Sequence, residues 1–226
     1  MCVPVDFSAA WTGLAEPWRL CLELGWQAHR AGSLGVGAVV VDPSGMVVAT
    51  GRNRSAEQAS PAGQLAGTYL AHAEVNALLG LSAGGCEGHV LYTSLEPCLL
   101  CTAALIGCHV GEVRYAATDH LWPGLQRLLD VNEHIARRWP TRVGPLPGPF
   151  AVWAAVLPLL WTLGRSPTGV VMAAHQRHAP AVAAVARRLH DTGPAELEQD
   201  SVTDALEGLW AVLAGAAGHQ PVGPMR

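Results

Sequence analysis

Lysine is absent from this chain of 226 residues, and all 14 of its basic side chains are arginine. Only 14% of the residues are charged, the formal net charge is -4, and no stretch of the sequence gathers the arginines into a basic cluster. Proteins that hold nucleic acid carry a positive patch or stripe, so the sequence argues against a large nucleic-acid partner. A patch assembled in three dimensions from distant arginines is the alternative that stays open.

The N-terminus lacks the parts of a secretory signal peptide. Its first 18 residues contain no arginine, have no continuous apolar core and include Asp6 and Glu16. We therefore expect a cytoplasmic protein, in which cysteines stay reduced. The six cysteines, at positions 2, 21, 86, 98, 101 and 108, are then interpreted as metal ligands or small core residues and not as disulfides.

Half of the residues are hydrophobic, which is enough for a sizeable core, yet no membrane span is expected. The longest uncharged run extends from Val143 to Gly164. Four prolines interrupt this run, and its unbroken part is about 14 residues long, short of the ~20 that a membrane span needs. We interpret it as a buried helix or an interface helix.

Hydrophobic periodicity predicts helices and strands in mixed order over the first two thirds of the chain. In chain order, the predicted elements are a helix at 14–30, strands at 36–42 and 46–52, a helix at 71–81, a strand at 88–94, a helix at 97–108, a strand at 111–118 and a helix at 124–138. The first two strands flank DPSG, whose proline and glycine suit a tight turn. This order predicts a mixed sheet covered by helices.

The segment GPLPGP, residues 144–149, separates this pattern from a region that looks entirely helical. Helices are predicted there at 150–163, 169–189 and 195–215. The sequence therefore predicts a first domain over residues 1–143 and a helical extension over residues 150–226. No motif in the extension indicates its role.

Residue types that bind metals lie in two short motifs. Cys98 and Cys101 are three residues apart at the start of a predicted helix, so both thiols lie on one face near its N-terminus. The positive end of that helix lowers the pKa of a thiol and favours the thiolate that binds metal. His72 belongs to a second motif, His72-Ala73-Glu74, which lies 22 intervening residues before Pro97. One imidazole and two thiolates make three ligands, and zinc takes four, so a position for water remains.

Glu74 is a carboxylate in the otherwise apolar stretch LAHAEVNALL. Burying a carboxylate is costly unless something pairs with it or uses it, so Glu74 is either an exposed residue at a helix start or a working group. Its place two residues after His72 favours a general acid/base that takes a proton from water at the metal. Cys86, Cys108, His89 and His109 offer an alternative, in which a fourth protein ligand closes the site and makes it structural.

The combination of H-A-E with P-C-x-x-C resembles the zinc-dependent cytidine deaminase superfamily. The resemblance covers about residues 14–140 and is greatest for the branch that contains tRNA adenosine, cytosine and guanine deaminases. It implies a three-layer α/β/α sandwich with a mixed sheet, to which this chain adds the C-terminal helical extension. It also implies that His72, Cys98 and Cys101 bind Zn²⁺ and that Glu74 is the catalytic acid/base.

The same resemblance implies substrate contacts at Asn53, Ala73 and Trp122. Asn53 stands in GRNR, where the family has a G-x-N-x element whose Asn contacts the substrate. Trp122 follows Asp119 in TDHLWPG, where the family places residues at the edge of the pocket, and its ring is suited to stacking on a flat base. The simpler alternatives are a turn residue for Asn53 and a packing role for Trp122.

These features together predict a zinc-dependent hydrolase that replaces an exocyclic amine of a small nucleobase or nucleoside by oxygen and releases ammonia. The polar segment between Asn53 and His72 is longer than the link in tRNA adenosine deaminases, and arginines are sparse. We therefore expect a small-molecule substrate and no nucleic acid. We also expect a homodimer. The alternatives are a tRNA adenosine deaminase and a non-catalytic, deaminase-like interaction subunit, and the presence of Glu74 argues against the second.

Overall fold

A five-stranded sheet lies at the centre of the computed structural model, which describes residues 6–218. The strands are β1 (Gly37–Val41), β2 (Val47–Arg52), β3 (Val90–Leu95), β4 (Glu112–Ala117) and β5 (Thr141–Val143). Their order across the sheet is β2-β1-β3-β4-β5. β1 pairs antiparallel with β2 and β3, whereas β4 pairs parallel with β3 and β5, so the sheet is mixed, as predicted.

Helices cover both faces of this sheet. They are α1 (Phe7–Gly13), α2 (Glu16–Arg30), α3 (Ala73–Leu78), α4 (Leu99–Cys108), α5 (Glu133–Arg138), α6 (Pro149–Leu163), α7 (Val170–His178), α8 (Pro180–Thr192) and α9 (Val202–Ala217). Two 3-10 helices span Leu125–Asp130 and Ala195–Glu198. Within residues 6–218, no helix has both the length and the apolar character needed to cross a bilayer.

The β1–β2 hairpin forms where DPSG predicts it. The Asp42 carboxylate accepts hydrogen bonds from the backbone N–H groups of Ser44 (2.8 Å) and Met46 (3.0 Å), which holds the turn closed. Gly45 adopts a φ of +89°, which residues with a side chain rarely adopt. The turn thereby fixes the antiparallel pairing of β1 with β2.

Alternation along β1 divides the hydrophobic core into two layers. Ala38 and Val40 pack on one face with residues of α3 and α4. Val39 and Val41 pack on the other face with residues of α2 and α6. The structure is therefore the three-layer α/β/α sandwich that the resemblance implied.

Helix α6 is the centre of the second layer. Only Pro149 and Trp161 of this helix are not fully buried, which fits a helix that is apolar on every side. The ring of Trp153 lies 5.5 Å from that of Trp26 in α2, and Trp161 Nε1 donates a hydrogen bond of 3.0 Å to the Gly32 carbonyl. The uncharged run is thus a core helix, and the division into residues 1–143 and 150–226 stays a prediction.

Several predicted helices differ in extent from those observed. The helix expected at 124–138 is a 3-10 helix followed by α5, because the Asn132 side chain caps a new helix by accepting from His134 N and Ile135 N. The helix expected at 169–189 is two helices, since Pro180 has no N–H to continue the first and starts the second. The third predicted helix of the extension is a 3-10 helix followed by α9.

Candidate active site

The three predicted metal ligands meet at the starts of two helices. His72 is the N-cap of α3, Cys98 is the N-cap of α4, and Cys101 lies in the first turn of α4. The helix predicted at 97–108 begins two residues later, at Leu99, so Pro97 precedes the helix. The two cysteines nevertheless share the N-terminal end of one helix, where exposed N–H groups favour negative charge.

The distances among the three ligand atoms fit a tetrahedral metal ion. His72 Nδ1 lies 3.7 Å from Cys98 Sγ and 3.3 Å from Cys101 Sγ, and the two sulfurs are 3.7 Å apart. Zinc bonds of about 2.3 Å to sulfur and about 2.1 Å to nitrogen give tetrahedral edges of about 3.8 Å and about 3.6 Å. The residues present therefore fit Zn²⁺.

A closed structural site has no support among residues 6–218. The three ligands form the one group there in which three or more metal-binding side chains bring their ligand atoms within 4.8 Å of one another. Cys86, Cys108, His89 and His109 do not belong to it. Three protein ligands leave a fourth position of a tetrahedral ion for water or substrate, which is the arrangement of catalytic zinc sites.

Hydrogen bonding prepares a thiolate at this position. A hydrogen bond of 3.7 Å joins the sulfurs of Cys98 and Cys101, and together with His72 it lowers the pKa of Cys98 to about 4. The same hydrogen bond, with burial, raises the pKa of Cys101. A dication held by His72 and both cysteines would displace the remaining thiol proton, since a coordinating thiol is deprotonated outright.

Glu74 is buried, with 4% of its surface exposed, so it is not an exposed residue at a helix start. It lies in the first turn of α3, two residues from His72, and lines a cavity together with His72 and Cys98. Burial raises the pKa of its carboxyl, because water no longer stabilises the charge. A carboxyl whose pKa is shifted toward neutrality is suited to both accepting and giving a proton.

The cavity beside these residues has a volume of about 460 Å³, which is in the range of small-molecule sites. Asn53 and Trp122, two of the predicted substrate contacts, line it, and so does Asp119. Burial raises the pKa of Asp119 to about 6. Ala73 does not line the cavity with its side chain, which is fully buried in the layer of α3 and α4.

The orientation of the Asn53 amide is fixed by Ser55. Asn53 Oδ1 accepts hydrogen bonds from the Ser55 backbone N–H (3.0 Å) and hydroxyl (2.8 Å). The donor Nδ2 is left without a protein partner among the described residues, although Asn53 is only 2% exposed. A substrate atom that accepts a hydrogen bond would satisfy this donor, and the contact itself stays a prediction.

The polar segment that follows Asn53 is held in place by an ion-pair cluster. The Glu57 carboxylate accepts from Arg52 Nη2 and from Arg54 Nη1, each at 2.7 Å, and all three side chains are largely buried. Arg54 Nε also donates to Gln64 Oε1 at 2.9 Å. The segment contributes Ser55 and Tyr69 to the cavity wall.

The C-terminal extension supplies a wall of the cavity, which sequence reasoning missed. Residues of α6 and α7 line the cavity opposite the metal ligands. They are Pro158, Leu159, Trp161, Thr162, Val171 and His175. No local sequence pattern predicts this arrangement, because it depends on contacts between α6 and residues more than a hundred positions earlier. One such contact is the hydrogen bond from Trp161 to Gly32.

Known proteins share these features. The family model described as the cytidine and deoxycytidylate deaminase zinc-binding region matches residues 15–117. A tRNA-specific adenosine deaminase of Haemophilus influenzae is 32% identical over 107 residues, which cover 45% of this chain and 57% of that protein. The riboflavin biosynthesis protein RibD of Corynebacterium ammoniagenes is 31% identical over 153 residues, covering 63% of this chain and 39% of that protein.

A solved structure of a NE0047 mutant in complex with 8-azaguanine is 26% identical, with a TM-score of 0.51. The match covers 67% of this chain and 87% of that one. The chain spans only about half of the length of the two curated relatives. The region of this chain that is similar to the cytidine and deoxycytidylate deaminase zinc-binding region includes His72, Glu74, Cys98 and Cys101.

Proposed function

We propose that this protein is a zinc-dependent hydrolytic deaminase that replaces an exocyclic amine of a small nucleobase or nucleoside by a carbonyl oxygen and releases ammonia. The observation that carries the proposal is the buried Glu74 carboxylate beside three metal ligands in a cavity of small-molecule size. Zinc held by His72, Cys98 and Cys101 would lower the pKa of water toward neutrality and so supply the nucleophile.

Glu74 is the proton carrier in this proposal. Its carboxylate accepts a proton from the attacking water, delivers it to a ring nitrogen of the substrate and serves the departing amine in the same way. Burial raises the pKa of this carboxyl, which makes the carboxylate a stronger acceptor of the proton from water. Backbone N–H groups at the start of α4 are suited to stabilising the negative charge that develops on the substrate.

Three observations support a small, flat substrate. Trp122, Trp161 and Tyr69 all line the cavity, and aromatic rings pack well against a heterocycle. The ion pairs of Glu57 hold the polar segment after Asn53 in place at one side of the cavity. Residues of α6 and α7 line the other side of the cavity. The related NE0047 structure contains 8-azaguanine, a ligand of this size, in a fold that matches 67% of this chain.

A tRNA adenosine deaminase is the second candidate, because the Haemophilus influenzae relative has that activity by name. The net charge of -4 and the absence of lysine favour the small-molecule substrate, since phosphate binding needs several cations. A non-catalytic, deaminase-like subunit is a third candidate. The buried Glu74 argues against it, because a carboxylate with no chemical role is costly to bury.

We also propose a homodimer and a cytoplasmic location. Leu99 and Leu100, at the start of α4, are 43% and 36% exposed, and a second copy would remove such apolar surface from water. A reducing compartment keeps Cys98 and Cys101 available to the metal, and the five cysteines in the described region are all unpaired. Light scattering on the purified protein measures the oligomeric state directly.

The proposed activity is tested by assaying ammonia release from a panel of free bases and nucleosides with the zinc-loaded protein. Glu74→Gln keeps the size of the side chain but removes its basic charge. We expect this variant to hold one zinc per chain while turnover falls about 10²- to 10⁴-fold. The control is Glu207→Gln, a change of the same kind at an exposed position of α9. Native turnover in Glu74→Gln, or no ammonia from any compound with the wild type, would overturn the proposal.

A further inference from the structure

The wall formed by the extension faces the metal site from the opposite layer of the sandwich. The ligands lie at the starts of α3 and α4, which pack on one face of the sheet, whereas α6 and α7 belong to the core on the other face. A substrate whose reacting carbon lies next to Glu74 therefore presents its far edge to α6 and α7. Groups on that wall would contact the part of the substrate that does not react.

His175 is the one imidazole that the extension contributes to this cavity. It is only 3% exposed, and its Nδ1 lies 2.9 Å from the Val171 carbonyl oxygen one helical turn earlier. Because a carbonyl oxygen only accepts, Nδ1 carries the proton of the ring. Burial lowers the pKa of His175, so the ring stays neutral at physiological pH. Nε2 is then a hydrogen-bond acceptor with no protein donor among the described residues.

The surroundings hold this ring in place. His175 stands between the main cavity and a smaller one of about 120 Å³, and its ring lies 5.2 Å from that of His120 in an edge-to-face arrangement. Trp161 on the same wall is fixed by its hydrogen bond to Gly32 and by Arg165, whose guanidinium lies 4.0 Å from the ring centroid. These contacts restrict the orientation of both rings on this wall, which lowers the conformational cost of binding a ligand.

We propose that His175 is a specificity-determining residue, whose Nε2 accepts a hydrogen bond from a ring N–H of a free heterocyclic base. This inference rests on the proposed function. Across the cavity, Asn53 Nδ2 offers the complementary donor to a carbonyl oxygen or ring nitrogen. A free base carries a ring N–H at the position that a nucleoside uses for its sugar. An acceptor facing that position, on a wall that closes the cavity, selects the base over the nucleoside.

The test compares the free base that is turned over best with its nucleoside and with its analogues methylated at each ring N–H. Three variants of α7 are assayed beside the wild type. His175→Phe keeps a ring and removes the acceptor, His175→Gln keeps an acceptor, and Gln176→Ala is an exposed control on the same helix. The zinc content and thermal unfolding of each variant verify its fold, and His175→Leu replaces His175→Phe if that variant does not fold.

We expect the wild type to prefer the free base over one methylated analogue by at least about tenfold in kcat/KM. In His175→Phe the ratio of kcat/KM for the free base to that for the analogue should fall to near one. In His175→Gln the ratio should be close to that of the wild type, and in Gln176→Ala it should be unchanged. A wild type that deaminates the base but shows the same ratio in His175→Phe overturns the inference and leaves the proposed function standing.

The same compounds are titrated into the Glu74→Gln variant by calorimetry, with and without His175→Phe. If the double variant binds the free base about tenfold more weakly than Glu74→Gln does, the role of His175 is supported. This result would hold even if the wild type released no ammonia, and then only the proposed function would fail. Failure of every free base to bind the Glu74→Gln variant overturns the inference as well.

Discussion

Replacing Gly51 by alanine should move α3, the helix that positions His72 and Glu74. Gly51 lies in β2, directly under α3, and an added Cβ would be 2.3 Å from Ala77 N and 2.4 Å from Ala73 O. An ordinary contact needs 3.4 Å, so α3 must shift by about 1 Å (3.4 minus 2.3). Both neighbours are backbone atoms, which a side-chain rotation does not relieve. His72 caps this helix and Glu74 lies in its first turn, so the shift reaches the metal site.

We expect two consequences of Gly51→Ala. Overpacking of this kind costs typically about 1–3 kcal/mol in the free energy of unfolding, which urea denaturation of the zinc-loaded protein measures. A displacement of about 1 Å at the reacting groups costs about 10²-fold in turnover, which the ammonia assay measures.

Gly107→Ala is the matched control. Gly107 lies in α4, and an added Cβ would meet nothing within 4 Å. This change should raise the free energy of unfolding by about 0.5–1 kcal/mol, because alanine suits a helix better than glycine. A Gly51→Ala protein with native stability and native turnover would refute the account of how β2 positions α3.

Three further predictions concern the cavity and its surroundings. Asn53→Ala should remove the hydrogen bond from Nδ2 to the substrate. The loss of transition-state stabilisation, obtained from the ratio of kcat/KM values, should be about 0.5–1.5 kcal/mol, with zinc content unchanged. The rate on a small base should be nearly independent of salt, whereas tRNA binding would weaken with a log–log slope of about -0.7 per phosphate contact on a single strand. Burial, with smaller effects of His175 and His178, lowers the pKa of His120 from 6.5 to about 4. The unfolded chain then binds more protons than the folded protein between those pH values, so the free energy of unfolding should fall as pH drops from 6.5 to about 4. Urea denaturation at each pH measures this fall, which should be smaller in His120→Asn.

Short-range patterns in the sequence carried most of the fold and the metal site. The hairpin was predictable because the turn DPSG contains its own hydrogen-bond acceptor, Asp42, and a glycine for the positive φ. The proximity of the two cysteines was predictable because the i, i+3 spacing of Cys98 and Cys101 fixes their relative direction at a helix start. In both cases the constraint lies within a few residues of sequence.

Elements that depend on distant contacts were not predictable in this way. β5 has only three residues, too few for an alternating pattern, and is defined by its pairing with β4. α1 was not predicted either, and it packs through Phe7 against Trp210 of α9 at a ring-centroid distance of 5.3 Å. The contribution of His175 to the cavity has the same origin, because it depends on how the extension packs against the sheet.

The coordination of the metal tests the central claim, an open zinc site beside Glu74, most directly. X-ray absorption at the zinc edge of the purified protein counts the neighbouring sulfur atoms. The account predicts one zinc per chain with two sulfur neighbours at about 2.3 Å, and nitrogen or oxygen neighbours at about 2.0–2.1 Å in the remaining positions. A third or fourth sulfur neighbour, or a purified protein that does not bind zinc, would contradict it.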